Sequence, residues 1–378
     1  LAPALIPASL AVVIAVAAIF GLTYGLSAPL IALDLAQRGF NEVMIGLNAA
    51  MHALGVLLVT PLLPRLAARF GHRPVAIVAL LAGAGLLAAF PLLALPLFWF
   101  PLRLGLGAAA ETLFVLTETW SNELSSEAAR GSVMATYTAA LSLGFAGGPL
   151  ILATVGSGAA AYDVGAGLAL LAVLPLCWPG LRTPERAEPR PLAPWRYMLL
   201  APVAIAVTLL NAAVETAGLS FIALYAQNMG WSETAGMHLI TTLMVGAIVL
   251  QLPIGWLADR LPARGLALVL ALLAAAGAWA APAIFAQPWL AFAAIFVWGG
   301  VFVGIYTVML VLVGGRFKGA DLLGIYAAMG LAWGAGALLG PSLAGWAMAT
   351  SPTHGLPNLI AAGCAAFALA ALVLRRAA

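Results

Sequence analysis

Charge is what this sequence has least of. Of its 378 residues, 8% are Asp, Glu, Lys or Arg, against about a quarter in an ordinary soluble domain, so water is excluded as the solvent for most of the chain. Only two cysteines occur, Cys177 and Cys364. They stand in apolar segments without partner spacing and read as small buried hydrophobes, not a disulfide framework. No P-loop is present, which removes direct ATP drive, and neither H-E-x-x-H nor G-x-S-x-G occurs. Glycine runs such as Gly83-Ala-Gly85 lie inside apolar stretches with no strand before them, so they make no dinucleotide fingerprint. An enzyme is therefore not expected, and neither is a cofactor or a nucleic-acid partner. The first apolar stretch is too long for the core of a cleavable signal.

What is there is hydrophobic: 64% of the residues. A span of the hydrocarbon core takes about 20 mostly apolar residues, and nearly the whole chain parses into such runs. The runs are continuous, which argues against the short alternating strands of a membrane β-barrel. They fall at 7–33, 44–64, 74–94, 97–119, 132–154, 162–180, 197–226, 234–256, 265–286, 289–313, 322–349 and 357–374. The expected fold class is an all-α membrane protein of twelve transmembrane helices. With the N-terminus inside, 14 of the 16 basic residues lie in cytoplasmic segments, and only Arg38 and Arg103 do not. Because one missed span would invert every later loop, this bias supports the count and places both termini in the cytoplasm. The segment 181–196 is rich in Pro and charge, which divides the chain into a first bundle, 1–180, a cytoplasmic linker, and a second bundle, 197–378.

The bundles repeat. A shift of 191 residues lays Gly39, Glu42 and Gly55 on Gly230, Glu233 and Gly246, and Leu66, Ala67 and Arg69 on Leu257, Ala258 and Arg260. A shift of 192 lays Gly144, Gly148 and Pro149 on Gly336, Gly340 and Pro341. Gly, Pro, Glu and Arg recurring at one nearly constant offset indicate a duplicated six-helix unit. Over the whole chain this pattern resembles the major facilitator superfamily. Gly255-Trp-Leu-Ala-Asp259-Arg260 is similar to that family's G-x-L-a-D-R signature. Its counterpart departs from the signature at Pro64 and Ala68 but keeps Arg69, Gly71 and Arg73. Arg103-x-x-x-Gly107 is similar to the family's fourth-helix motif, and Gly144-x-x-x-Gly148-Pro149 to the motif of proton-coupled drug antiporters, without its flanking glycines. Glu118-Thr-Trp120-Ser-Asn122-Glu123 looks like a junction in a poorly characterised bacterial branch. The resemblance implies two pseudo-symmetric six-helix bundles, alternating access and a solute held near the midplane.

Charges at membrane depth cost roughly 2.5 to 3.5 kcal/mol on insertion scales, so each is a candidate. In the fourth span Arg103, Gly107, Glu111 and Glu118 fall within about 80° on a helix turning about 100° per residue, forming one polar stripe. Arg103 and Glu111 are about 12 Å apart along the axis, too far for an easy pair, so their partners belong on other helices. In the seventh span Asn211 and Glu215 are one turn apart. A carboxylate that is neutral toward one side and ionised toward the other suits proton coupling, which makes Glu215 and Glu111 the candidate proton carriers. A guanidinium keeps its proton, so Arg103 would bind an anionic group or influence a neighbour. Asn211, Tyr24, Glu118 and His52 are further candidates for the solute site. Asp259, Arg260 and Arg69, with Gly144, Gly148 and Pro149, are candidates for gating. The more ordinary alternatives are topogenic charge for the first three and close helix packing for the others.

The pairs Met51-His52 and Met237-His238, with Met244 beyond, offer soft ligands that would suit copper, yet no i, i+4 set assembles a site and no metal is assigned. The sequence thus points to a monomeric secondary transporter of a small organic solute in a bacterial inner membrane, its partners being solute, protons and the lipid bilayer. Proton-coupled export of an amphipathic drug or metabolite leads. Proton-coupled import of a sugar, organic acid or other nutrient is the alternative, ahead of metal transport and a non-transporting receptor.

Overall fold

The computed structural model describes residues 8–126, 129–184, 197–258, 260–317 and 319–374. Asp259, Lys318, Arg375, Arg376 and most of the expected linker, with Arg186, Arg190 and Arg196, lie outside the described residues. The helices are α1 (Ala8–Gln37), α2 (Glu42–Val59), α3 (Leu63–Phe70), α4 (His72–Ala89), α5 (Trp99–Glu123), α6 (Arg130–Val155) and α7 (Ala159–Leu176). They continue as α8 (Pro202–Asn228), α9 (Glu233–Ala258), α10 (Ala263–Ile284), α11 (Pro288–Arg316), α12 (Gly319–Thr350) and α13 (Gly355–Leu374). No strand occurs among the described residues. Twelve helical segments among them are long and apolar enough to cross a membrane, α2 and α3 forming one span, Glu42–Phe70.

Proline and glycine set the ends that the apolar runs leave vague. α4 stops at Ala89, short of the expected 94, where Pro91 withdraws a backbone donor. α8 begins at Pro202 instead of 197, proline being suited to a first turn whose N–H needs no partner. Between α2 and α3 the chain tightens over Thr60–Leu62, at Pro61 and before Pro64. α3 then ends on Gly71, whose φ of 85° an L side chain rarely adopts. That left-handed turn reverses the chain into α4 and explains why a glycine stands between Arg69 and Arg73.

The chain divides into two compact units, Leu1–Asp34 with Met51–Arg190 and Leu35–Ala50 with Pro191–Ala378. In the first unit α1 crosses α6, α2 crosses α5, and α4 packs on α7 and α5. In the second, α8 crosses α12, α9 crosses α11, and α10 packs on α13. The repeated glycines do equivalent work in each. A Cβ at Gly55 would run into the Leu104 carbonyl and one at Gly107 into the His52 carbonyl, while Gly246 and Gly299 bear the same relation to Phe296 and Leu243. In lipid, where apolar surface has no drive to leave its solvent, such backbone approach supplies much of the helix association. Residues 35–50, which the sequence reading counts with the first bundle, group with the second unit. There Gly46 lies against Pro341 and Gly345 of α12, and Gln37 donates to Glu233 at 3.3 Å.

The exterior is apolar as well. Leu92 is 81% exposed and Leu252 82%, positions that water would penalise and a bilayer does not. Cys364 is buried as expected, but Cys177, just past α7, is exposed on the surface of its unit, since an apolar residue here can face either protein or lipid.

Candidate functional site

In the first unit the glycine crossings bring polar side chains together. Gly21 and Gly25 of α1 meet the backbone of Leu141 and Phe145, and Gly144 and Gly148 of α6 meet Ala18, Gly25 and Leu26. Tyr24 therefore sits at this crossing, its ring 5.5 Å from that of Phe145 and 4.9 Å from that of His52. The α2–α5 crossing at Gly107 sets His52 close to Arg103, and the guanidinium interacts electrostatically with His52, Tyr24 and Tyr162. Arg103 is 3% exposed, yet its Nε and Nη1 have no hydrogen-bond partner, and neither has Nδ1 of His52. A buried guanidinium is not left so without cost. The arrangement can receive an acceptor, above all an anionic one. Beside it lies a cavity of about 40 Å³ walled by Tyr24, His52, Leu106, Ala110 and Leu113.

Farther along α5 the half-buried Glu111 faces the end of α2, just past which Thr60 Oγ1 lies 3.2 Å from its Oε1. Glu118 interacts electrostatically with Glu111 and with Tyr137 of α6, whose hydroxyl is 3.2 Å from Thr117 Oγ1. Of the stripe read from helical spacing, Gly107 and Glu111 face α2.

In the second unit Asn211 Nδ2 donates to Glu215 Oε2 at 3.4 Å, and the Trp333 indole of α12 also donates to this carboxylate. Asn211 Oδ1 is buried without a partner. α8 and α12 meet at Gly336 and Gly340, against the carbonyls of Leu209 and Ala213, and this crossing brings the indole to the acid. Both carboxylates have neutral hydrogen-bond donors, and no cationic side chain is paired with either among the described residues.

The remaining candidates are placed as follows. Gly255 to Ala258 form the last turn of α9, and the Arg260 guanidinium folds back 4.0 Å over the Trp256 ring with Nη1 donating to the Trp256 carbonyl at 3.2 Å. Arg69, at the end of α3, lies 5.2 Å from the Phe70 ring. Pro149 is inside an uninterrupted α6. Among the described residues no cluster of three His, Cys, Asp or Glu could hold a metal.

Four residues at these clusters are absent from the sequence expectation. Asp34, which accepts from the Tyr162 hydroxyl at 3.1 Å, is one turn inside the end of α1. An expected span ending at 33 assigns it to a loop, and only the apolar run around it signals otherwise. Tyr162 and Trp333 carry no sequence signal, because an aromatic residue in a spanning helix looks like any other apolar one. Thr60 is a threonine like most in such helices, and its partner lies 51 residues away.

The family model described as Major Facilitator Superfamily matches residues 13–237 and 204–378. An MFS-type transporter of Bacillus subtilis (strain 168), YfkF, is 26% identical over 346 residues, 90% of this chain and 88% of that protein. Among solved structures, a mutant of the nucleoside transporter NupG has a TM-score of 0.82 at 14% identity, over 97% of this chain and 99% of the other. The D-xylose-proton symporter has a TM-score of 0.74 at 18% identity, over 97% and 96%. At such identities these structures speak for the fold alone. With twelve spanning helices, a six-helix pattern met twice and a family match running nearly end to end, this chain belongs to the Major Facilitator Superfamily and is a multi-pass secondary transporter, not an enzyme.

Proposed function

We propose that the protein is a proton-coupled exporter of an amphipathic organic solute, in a bacterial inner membrane with both termini cytoplasmic, working as a monomer. The observation that carries the coupling is the pair of intramembrane carboxylates, Glu111 and Glu215, each met only by neutral donors. A carboxylate beside a fixed cation stays ionised throughout a cycle. One beside Thr60, or beside Asn211 and Trp333, can take a proton from one side and lose it to the other.

Export is favoured over import by Gly144-x-x-x-Gly148-Pro149, which resembles the antiporter motif and packs α6 tightly on α1. Arg103, His52 and Tyr24 supply donors and aromatic surface to a solute with both a polar acceptor and an apolar body. Asp259, Arg260 and Arg69 act as gate residues at the cytoplasmic face, with Gly144, Gly148 and Pro149 the packing that the gate works against. Glu118 and Asn211 complete the polar lining.

The test is purified protein in liposomes with an entrapped pH indicator and a panel of amphipathic cations, amphipathic anions, neutral compounds and sugars. Export predicts that adding a panel member dissipates an imposed proton gradient, and that the same gradient drives the solute against its own. Solute moving in the same direction as protons would overturn export. Solute flux indifferent to the proton gradient would overturn the coupling.

A further inference from the structure

Trp120, in the last turn of α5, is fully buried in the first unit, and a buried indole N–H needs an acceptor. It finds one far along the chain: Nε1 donates to the Arg182 carbonyl at 2.8 Å. On its other side Arg182 gives its backbone N–H to Oγ of Ser9, in the first turn of α1, at 2.9 Å. Both backbone groups of one residue outside any helix are thus satisfied by buried side chains of two helices.

Arg182 stands where the sequence reading starts the linker, yet residues 181–184 are built into the first unit. After α7 residues 177–180 are exposed, and the Leu181 N–H then donates to the Trp178 carbonyl at 3.2 Å. Leu181 and Pro184 are buried while Arg182 and Thr183 are exposed. Leu181 joins a core that includes Val13 and Ala17 of α1, Leu116 and Trp120 of α5 and Tyr137 of α6. His72, the first residue of α4, brings its ring to 6.2 Å from that of Trp120.

In the second unit the other end of the connection is fastened too. Tyr197 precedes α8, and its ring fills the notch that Gly324 leaves in α12, where a Cβ would run into it. The same side chain packs against the buried core of that unit.

We propose that Ser9 and Trp120 clasp the connection between the units to α1 and α5, and that Tyr197 pins it to α12, so that the tether of the transport cycle runs only from Pro184 to Tyr197. The pull of the tether then reaches the helices that carry Tyr24, Arg103 and Glu111, and Trp333, instead of α7 and α8, which it joins in sequence. The clasp takes the four residues 181–184, about 13 Å of extended chain, out of the slack available to two rocking units. Ser9 and Trp120 are positioning residues, acting on the tether and not on solute. The proposal holds whichever way solute and protons move.

The experiment uses the full chain in lipid nanodiscs. Hydrogen exchange of the Arg182 amide, read by mass spectrometry on the peptide 177–184, is expected to be slow in wild type and about threefold to tenfold faster in S9A. S9T keeps the hydroxyl and is expected to restore slow exchange. W120F keeps a ring but loses the N–H, and it is expected to speed exchange in the same peptide. The tether is read by electron–electron spin distances, with Cys177 and Cys364 replaced by serine and labels at Arg65→Cys and Arg264→Cys. In the double variant S9A/W120F the longest distances are expected to extend by up to about 13 Å. Four glycine and serine residues inserted after Arg190 are expected to do the same in otherwise wild-type protein. A clasp that only stabilised the first unit would lower Tm in S9A/W120F and leave the distances alone. That result, an insertion without effect on the distances, or equal exchange of the Arg182 amide in wild type and S9A overturns the proposal.

Discussion

Thr60 Oγ1 lies 3.2 Å from Glu111 Oε1 and 2.7 Å from the Val56 carbonyl, and it has one proton to give. When Glu111 is ionised the hydroxyl turns to the carboxylate. When Glu111 carries a proton, the acid donates to Thr60 and the hydroxyl stays on Val56. Because Thr60 opens the tight turn between α2 and α3, the charge on α5 and the backbone of the second span become linked. Thr60→Ser keeps the hydroxyl and is expected to transport within about twofold of wild type. Thr60→Val loses it and is expected to fall about tenfold, the scale of one charge-assisted hydrogen bond. Proton-driven flux in liposomes decides, and equal flux in both variants would remove Thr60 from the mechanism.

Glu215→Gln keeps size and hydrogen bonding but cannot exchange a proton. Gradient-driven transport is expected to drop by about 100-fold, as for a lost general acid–base group, while solute exchange without a gradient continues. Trp333→Phe keeps the ring and removes only the N–H given to Glu215, with a loss of about threefold to tenfold expected. If Glu215→Gln and Glu111→Gln both retain full gradient-driven transport, neither acid carries the proton.

Arg103 is tested by its geometry as well as its charge. Arg103→Lys keeps one positive charge without the planar fork, and Arg103→Gln keeps neither. The expected order of solute affinity is wild type, then Lys about tenfold weaker, then Gln about 100-fold weaker, with anionic panel members the most affected. Binding to purified protein by calorimetry gives the order, and a panel in which neutral and anionic solutes weaken alike contradicts it.

The helix crossings make a contrast between glycines. Gly107→Ala and Gly299→Ala put a Cβ into a backbone carbonyl of the neighbouring helix, whereas Gly85→Ala and Gly255→Ala meet nothing within 4 Å. The first two are expected to cost about 1 to 3 kcal/mol, read as a lower Tm in detergent. The last two are expected to be neutral or slightly stabilising, since Ala is the better helix former.

Orientation is open to direct labelling. After Cys177 and Cys364 are replaced by serine, Arg65→Cys and Arg264→Cys are expected to react with a membrane-impermeant maleimide only from the cytoplasmic side, and Gln37→Cys only from the other. Reaction of Arg65→Cys from outside cells would invert the topology.

Residues 60 and 111, or 215 and 333, are separated in sequence by whole helices, which is why their pairing is hard to foresee. The glycines were easier: Gly55 and Gly246, or Gly148 and Gly340, announce themselves by recurring at a constant offset, and they sit at crossings whose backbones leave no room for a Cβ. Hydropathy marks the middle of a span better than its end, so an apolar run ending at 33 leaves Asp34 outside the span that α1 extends to Gln37.

The sequence by itself determined the number of spans and the duplication, and it marked Arg103, Glu111 and Glu215 as charges within apolar runs. These follow from local quantities: run length against bilayer thickness, and the cost of a charge in hydrocarbon. Only the tertiary structure decided that Glu111 meets Thr60, that Glu215 meets Trp333 and that Trp120 meets Arg182. Every face of a spanning helix is apolar enough to meet either lipid or protein, so the pattern along the chain does not say which face turns inward. Close backbone contact between helices distant in sequence makes that choice.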